Sequence, residues 1–438
     1  MKDKKNPYTG IIPVEGANIT FYLDNYMVTF MATNHQIHQF DNDMEFVFGQ
    51  THGYQGIAIY KGDLSLSCDG AKKINTCAYI IAPDNNTLEV QWENYDYIEF
   101  RGGTLDNLFF CNAVERDNFD SKEIIFQIKD DTESHNFFYE GNECELIIRS
   151  NISECIGLKG SKFVNEHIIL GLRFSVPQPL NSVFKHVSNI KKLLSFMTYR
   201  QNVGFDEIYM FHNERRLSKM QLFIKEAIEY TNKDIMKNIT FHELSNSLSE
   251  LLSIFYENEK KLNYEFGFLP TDDKDLSAMN NQKVRTVCSA LEYELSLIED
   301  LCIGENKKLQ ELISDIKDFV KKHKKGEDKL SERTYNLIFS NIEHWTMTIS
   351  DRIYALFCRY KQEMCLLNPS SIVIGFNEIN DFIKYRNNIT HGGQSVMDMT
   401  IATTAYVLSG LVYCCLLTRA GLERNKILEL CKRKKLIH

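Results

Sequence analysis

The chain has 438 residues, of which 43% are hydrophobic and 12% aromatic, so two or three domains are expected and wholesale disorder is excluded. The formal net charge is −9, but residues 1–180 hold 14 Lys and Arg against 26 Asp and Glu, a balance of −12, whereas the remainder holds 36 against 33. We therefore expect the first part to repel a polyanion such as RNA, and only the second part to tolerate one.

Residues 1–178 show alternating or short apolar runs that are typical of β-strands. The runs are separated by Gly, Asn and Asp clusters. They are Ile19-x-Phe21-x-Leu23, Phe46–Phe48, Ile57-x-Ile59, Leu64-x-Leu66, Leu88-x-Val90-x-Trp92, Ile98-x-Phe100, Ile124–Phe126, Leu146–Ile148 and Ile168–Phe174. About ten short strands at this spacing predict a β-rich N-terminal domain of the sandwich or barrel type, which ends near Pro177 and Pro179.

Two histidines of this part, His35 and His38, are followed by Asp41 and Asp43 and offer a candidate set of metal ligands. Two imidazoles in a polar loop without a nearby cysteine are more often surface residues than a zinc site. We therefore predict neither a bound metal nor a cofactor.

Residues 179–235 are predicted to be a mixed region, with a helix over 183–197 and a strand pair between Ile208 and Ile224. Helical patterns fill 236–438, which makes the chain an α+β multidomain protein with an all-α helical bundle at its C-terminal end. Thr240-Phe-His-Glu243 is a capping-box pattern that predicts the start of a helix. Further helices are predicted over 276–302, 306–324, 331–364, 375–391 and 397–418.

One predicted helix is a charge-free stretch of 20 residues, from Met399 to Thr418, long enough to span a bilayer. Its hydropathy is lowered by Thr400, Thr403, Thr404, Ser409, Gly410 and Thr418. A buried central helix of a bundle has the same composition, and no second span is found. We therefore predict a core helix and no membrane partner.

The twelve cysteines are scattered along the chain and form no Cys-x-x-Cys pair. The first residues lack the apolar stretch of a signal peptide. Both features predict reduced thiols and a cytoplasmic location.

The segment from Gly375 to Gly393 combines helical apolar spacing with an arginine and a histidine. Arg386 follows Ile379 by seven residues, about 700° of helical rotation, so it lies within about 20° of the apolar face. An arginine on a buried face needs an anionic or hydrogen-bonding partner. His391 lies five residues later, about 140° around and about 7.5 Å along a continuous helix. A helix end at Gly392-Gly393 would free its imidazole to turn back.

This pattern by itself leaves two interpretations open. In the first, Arg386 is a structural residue paired with a carboxylate, and His391 lies near a helix C-terminus that favours its cation. In the second, the two side chains act together on a substrate. Arginine and histidine five residues apart do not decide between them.

The six residues Arg386-Asn387-Asn388-Ile389-Thr390-His391 resemble the Arg-x(4–6)-His signature of HEPN ribonucleases, including the polar residue that directly follows the arginine. The segment lies between two late helices of the predicted bundle, as in that family. More narrowly, the layout resembles the ApeA-like anti-phage proteins, which join an N-terminal β-rich domain to a C-terminal HEPN domain.

The resemblance implies a metal-independent endoribonuclease acting in anti-phage defence by abortive infection. His391 would take the proton of an RNA 2′-hydroxyl, Arg386 would hold the phosphate, and Asn387 would orient His391 or bind the phosphate. The implied partners are an RNA substrate, such as tRNA or another host RNA, and a phage-derived trigger at the N-terminal domain. Because the sites of two protomers meet in this family, the resemblance also implies a homodimer or a higher homo-oligomer.

Two other interpretations of function are kept. In the first, the chain is a non-catalytic HEPN-like binding or scaffold protein, in which Arg386 and His391 only pack and pair. Alternatively, it is a β-sandwich carbohydrate or protein binder with a helical oligomerisation domain, which leaves the motif without a role.

Overall fold

The computed structural model describes residues 7–14, 17–31, 45–61, 71–84, 94–108, 114–117, 125–128, 132–156, 162–212, 219–225, 238–257, 267–271, 275, 278–298, 301, 307–324, 329–343, 348–368, 370–393 and 395–434. The chain divides into two compact units. The first comprises Met1–Thr198 and Asn202–Lys260, and the second comprises Tyr199–Gln201 and Lys261–His438. The predicted strands at 64–66 and 88–92 lie outside the described residues, as do His35, His38, Asp41 and Asp43.

The first unit is built on antiparallel β-structure. Its strands are β1 (Tyr8–Val14), β2 (Ala17–Asp24), β3 (Met27–Met31), β4 (Phe46–Thr51), β5 (Gln55–Tyr60), β6 (Ala71–Asn75), β7 (Ala78–Asp84), β8 (Asn94–Arg101), β9 (Val114–Asp117), β10 (Ile125–Ile128), β11 (Thr132–Tyr139), β12 (Asn142–Ile156), β13 (Lys162–Pro179), β14 (Glu207–Phe211) and β15 (Met220–Ile224). The prediction of an N-terminal β-rich region is thus confirmed.

Thirteen of the described strands form one sheet, in the order β11-β12-β13-β8-β14-β15-β7-β5-β4-β1-β2-β3-β6, and β9 pairs only with β10. The neighbouring strands are antiparallel, and the predicted strand pair between 208 and 224 is β14 with β15. β7 and β8 follow one another in the chain but are not neighbours, because β14 and β15 lie between them.

This topology differs from the predicted domain boundaries at 178 and 235. Pro179 pairs with Asn94 inside the sheet, and the hairpin of β14 and β15 completes the same sheet. Residues of the predicted mixed region therefore belong to the first compact unit. The patterns of the individual strands could not predict this assignment, because the strand pairing joins segments that are far apart in the sequence.

One half of the sheet has its own apolar core. The alternating buried side chains come from eight neighbouring strands, β15 to β6 in the sheet order, and pack in a single cluster. They are Ile12, Ile19, Phe21, Leu23, Val28, Phe30, Val47, Ile57, Ile59, Ile74, Tyr79, Ile81 and Phe223.

The other half of the sheet packs on helices α1 (Val183–Thr198) and α3 (Leu248–Glu257). Before α3 comes α2 (Phe241–Leu244), which begins at the predicted capping box: Thr240 accepts from the Glu243 backbone N–H, and Glu243 accepts from that of Thr240. A 3-10 turn, Ser245–Ser247, separates α2 from α3 where a single helix was predicted.

His186 of α1 is fully buried in an aromatic cage. Its Nδ1 lies 3.0 Å from the Tyr256 hydroxyl, and its ring contacts the rings of Tyr95, Tyr139 and Phe174. Burial, together with the smaller effect of the neighbouring Lys185 cation, lowers the pKa of His186 to about 3. The imidazole is therefore neutral at physiological pH.

We expect this histidine to make the first unit less stable in mild acid. Between pH 6.5 and about 3 the unfolded chain binds a proton at this position that the folded chain does not, so stability falls as the pH falls. From pH 7 to pH 5, the free energy needed to open α1 should fall by about 2 kcal/mol. Hydrogen exchange of the α1 amides measures this free energy, after correction for the intrinsic pH dependence of exchange. His186→Gln should reduce this slope, whereas His242→Gln, at an exposed position of α2, should keep it. Equal slopes in all three proteins would contradict the assignment.

The second unit is helical and holds the remaining helices of the described residues. They are α4 (Asn281–Ser296), α5 (Lys307–Lys322), α6 (Glu332–Glu343), α7 (Ile349–Arg359), α8 (Lys361–Leu367), α9 (Phe376–Thr390), α10 (Met399–Arg419) and α11 (Arg424–Lys434). The prediction of a C-terminal helical region is confirmed. The predicted helix over 331–364 is instead three helices, with a capping box of Thr348 and Asp351 at the start of α7.

α10 is the centre of this unit and packs against α4, α8, α9 and α11. By length and composition it is the one described helix that is able to cross a membrane: an 18-residue stretch has a mean hydropathy of 1.7. However, 78% of that stretch is buried inside the protein, as the prediction of a core helix requires. A single buried helix of this kind is weak support for a membrane span. The cysteines whose side chains the structure describes form no disulfide with one another.

Candidate active site

All three candidate residues lie at the C-terminal end of α9. Its apolar spacing buries Ile379, Phe382, Ile383 and Ile389 against the other helices of the unit. The opposite side of the last turn stays in contact with solvent, where Asn387 and His391 are exposed. Arg386 lies at the border between the two sides.

α9 ends where the glycine pair predicts. Gly392 takes a left-handed φ of +81°, and the Gly393 N–H donates to the Asn388 carbonyl over 2.9 Å. A Cβ at position 393 would overlap the Asn388 side chain, so this close approach requires glycine. The predicted helix end is therefore confirmed.

Arg386 has the anionic partner that its position requires. One guanidinium nitrogen, Nη2, lies 2.7 Å from Oε1 of Glu292 on α4, and Nη1 donates to the Asn387 side-chain oxygen over 3.0 Å. The arginine side chain is 24% exposed and that of Glu292 is 40% exposed. The ion pair is thus reached by solvent, and a guanidinium with five N–H donors keeps donors for a further anion.

His391 caps the helix with its backbone and leaves its ring in solvent. Its N–H donates to the Asn387 carbonyl over 3.1 Å, with φ and ψ of −91° and 15°. Its imidazole makes no hydrogen bond, ion pair or ring contact with any residue that the structure describes. Because the backbone stays near-helical, the ring projects about 140° away from Arg386.

The three candidate residues are therefore neighbours at the end of one helix, and no contact joins the Arg386 and His391 side chains among the described residues. Asn387 lies between them: its side chain accepts from Arg386, and its carbonyl accepts from His391. On an ideal helix the five-residue spacing places the two side chains about 140° apart around the axis.

The sequence interpretation missed the residues of α4 that hold this turn. Glu292 pairs with Arg386, and Arg285 donates to the Ile389 carbonyl, where a cation suits the helix C-terminus. Cys288, between them, is buried: desolvation raises the pKa of its thiol to about 12 although the Arg386 cation acts against it. It is accordingly a neutral packing residue and no nucleophile. The sequence signal for this role was a pair of charged residues, at 285 and 292, beside the apolar face of α4.

An open groove of about 560 Å³ lies beside the motif. Its walls come from the start of α4 and from the segment that follows α9, with Asn281, Tyr385, Ser395 and Met397 among the lining residues. The Tyr385 hydroxyl donates to the Asn281 side-chain oxygen over 2.7 Å and fixes the ring next to Arg386. The groove is lined by an aromatic ring and by amide side chains, and one of its lining residues, Tyr385, directly precedes Arg386 in the sequence.

Within the part of the chain that the structure describes, no three His, Cys, Asp or Glu side chains are grouped so that they could hold a metal ion. Comparison with known proteins gives no match among family models, curated proteins or solved structures. The interpretation of the site therefore depends on its own geometry and chemistry.

Proposed function

We propose that this protein is a metal-independent endoribonuclease whose catalytic groups are Arg386, Asn387 and His391. The observation that carries the proposal is the exposed imidazole of His391, which has no partner among the described residues, one turn from a solvent-accessible guanidinium. Such a pair supplies a proton acceptor and a planar cation for a phosphate.

The proposed reaction is an attack within the RNA. Neutral His391 takes the proton of a 2′-hydroxyl, and the 2′-oxygen forms a bond to the adjacent phosphorus. The bond from phosphorus to the 5′-oxygen breaks, and that oxygen takes a proton from solvent or from a protonated histidine. Arg386 stabilises the charge that builds on the phosphate oxygens, and Asn387 keeps the guanidinium in place.

We propose that two copies of α9 form the complete site in a homodimer. The rotation of about 140° between Arg386 and His391 points the two side chains in different directions, and a second copy of the helix would bring a histidine to each arginine. Apolar side chains next to the motif support this: Val396 is 93% exposed and Met399 is 74% exposed. The two residues are three positions apart beside the motif, and an exposed apolar patch there would mark an interface.

The role in anti-phage defence is part of the same proposal. The first unit is acidic, with the balance of −12 over residues 1–180, so it is a poor surface for RNA. We assign to it the recognition of a phage-derived trigger, and to the second unit the cleavage of host RNA in the cytoplasm.

The ion pair with Glu292 favours a second candidate function, a non-catalytic HEPN-like binding or scaffold protein. At 2.7 Å the carboxylate already satisfies part of the Arg386 charge, as in a purely structural arginine. Under this alternative His391 is a surface residue without a role.

Mapping of RNA ends tests the proposal. Purified protein incubated with total cellular RNA should give fragments that end in a 2′,3′-cyclic phosphate and begin with a 5′-hydroxyl, because the nucleophile is the neighbouring hydroxyl. Cleavage should persist in EDTA. If the protein needs its trigger and purified samples are silent, growth arrest with the same RNA ends should follow overexpression in cells. Loss of cleavage in EDTA, or 3′-hydroxyl ends, would assign the chemistry to another site.

A further inference from the structure

The first unit contains a pocket of about 680 Å³ on one face of its sheet, here called the sheet pocket. Six charged side chains line it: Glu99, Arg101, Glu145, Arg149, Arg173 and Lys219. They come from neighbouring strands in register, since Arg149 and Arg101 both face Ile169 of β13, and Glu145 faces Arg173.

Strand alternation explains why these charges lie together. In β8, Ile98 and Phe100 are fully buried on one face, and Glu99 and Arg101 occupy the other. In β12, Leu146 and Ile148 are buried in the same way. The helix-packed face of the sheet is thus apolar, and the opposite face carries the sheet pocket.

A buried carboxylate organises the cations. Glu99 is 2% exposed, and its two oxygens bind two different arginines: Oε1 binds Arg101, and Oε2 lies 2.6 Å from Nη2 of Arg149. The side chain of Arg149 remains 42% exposed, and its Nε has no hydrogen-bond partner in the described part of the protein. A guanidinium that is held in place but keeps unused N–H donors is able to bind an anion.

A third cation completes the basic side of the pocket. The Lys219 ammonium lies 3.5 Å from the ring centre of Tyr209, over which Arg101 also lies at 5.1 Å. Desolvation lowers the pKa of Lys219, and so does the nearby Arg101 cation, because two like charges repel each other. The carboxylates of Glu207 on β14 and Glu99 on β8 raise the pKa of Lys219. An anion between Arg101 and Lys219 would relieve the repulsion.

The other wall of the sheet pocket is aromatic and apolar. The rings of Tyr97 and Phe211 lie 5.6 Å apart, and Ile147 lines the same space. Tyr97 lies over Gly171 so closely that any Cβ there would overlap its ring. The pocket therefore offers cations at one side and a surface for a flat apolar group at the other.

We infer that the sheet pocket binds a small phosphate-bearing molecule with a planar ring, that is, a nucleotide or a molecule of that chemical class. Its lining carries four basic and two acidic side chains, in a part of the chain whose overall balance is strongly acidic. Its volume lies within the range of small-molecule sites, about 300–1,000 Å³. The acidic balance of this part of the chain disfavours a long polyanion, whose many phosphates need many Lys and Arg contacts.

This inference does not depend on the ribonuclease proposal, because all lining residues belong to the first unit. The planar group would stack on Tyr97 or Phe211, and the phosphates would bind Arg101, Arg149 and Lys219. Arg173, which lies 2.5 Å from Glu145, closes the far end of the row.

The full-length protein is titrated with ATP in a calorimeter, with adenosine, pyrophosphate and a ten-nucleotide RNA as comparison ligands. ATP should bind with a dissociation constant in the micromolar to low millimolar range, pyrophosphate more weakly, and adenosine much more weakly. Raising the salt concentration should weaken ATP binding, because the contacts are ionic. The RNA should not compete with ATP.

The Arg149→Gln variant should bind ATP roughly ten- to a hundredfold more weakly, the usual effect of losing a hydrogen bond to a charged group. Phe211→Leu keeps an apolar side chain but removes the ring. It should weaken the binding of ATP more than the binding of pyrophosphate. Lys73→Gln removes one positive charge from an exposed position of β6, at the far edge of the sheet, and should have no effect. No binding of ATP or pyrophosphate up to 10 mM, binding that Arg149→Gln leaves unchanged, or displacement of ATP by the RNA would each overturn the inference. RNA cleavage by the Arg149→Gln variant reports on the ribonuclease proposal separately.

Discussion

Replacing His391 by alanine is expected to lower RNA cleavage by roughly 10²–10⁴-fold, the range for loss of a positioned proton acceptor. The imidazole is exposed and contacts no other described residue, so its removal should leave the fold and the melting temperature unchanged. The initial rate of cleavage of a defined RNA, measured with equal amounts of wild type and variant, checks the expectation. His242→Ala, at another exposed histidine, should cleave like the wild type.

The same variant also tests whether two copies form the site. A mixture of His391→Ala with Arg386→Lys protein, each inactive alone, should regain part of the activity after subunit exchange, because one of the two sites in a mixed dimer carries both wild-type groups. Full activity of His391→Ala alone would remove the histidine from the mechanism. Two inactive variants that never complement each other would argue for a site within a single copy.

Replacing Arg386 by lysine is expected to lower cleavage by roughly 10²–10³-fold, as when a preorganised charge-stabilising donor is removed. A lysine keeps the charge but cannot hold a phosphate with two parallel N–H donors. Glu292→Gln should act in the opposite sense: cleavage is kept or increased, because the carboxylate competes with the phosphate for the same guanidinium. The two variants are compared in single-turnover assays on the same RNA.

The structural alternative predicts a different result for this pair. If Arg386 serves only to pair with Glu292, then Arg386→Gln and Glu292→Gln should lower stability to a similar extent, and their effects should not add in the double variant. Because both side chains are partly exposed, the coupling between them should be about 0.2–1 kcal/mol. Lost cleavage in Arg386→Lys together with retained cleavage in Glu292→Gln contradicts a purely structural role.

Local patterns in the sequence were sufficient for many elements of the fold and for the end of α9. Alternation predicted β2 and β8, the capping box at Thr240 predicted the start of α2, and Gly392-Gly393 predicted the end of α9. Each of these depends on neighbours within a few residues, where steric and hydrogen-bond preferences are decisive.

Features that depend on distant residues were not predictable in the same way. The partner of Arg386 comes from a residue 94 positions earlier, and only the need for an anion was evident from the sequence. The sheet pocket was missed because Glu99, Arg101 and Arg149 alternate with apolar residues along their strands. Each of them, considered alone, has the pattern of a solvent-exposed strand residue. Their common face becomes visible only when β8, β13 and β12 are placed in register.

The position of the β14–β15 hairpin has a consequence for synthesis on the ribosome. β7 and β8 each keep an unpaired edge until the hairpin, more than 100 residues after β8, has left the exit tunnel and inserted between them. Unpaired edges invite pairing with other chains, so this interval is when the nascent protein depends most on chaperones. The helix that carries Arg386 and His391 is translated well after the hairpin. A ribosome that has reached the proposed catalytic residues has therefore already released every strand of the sheet.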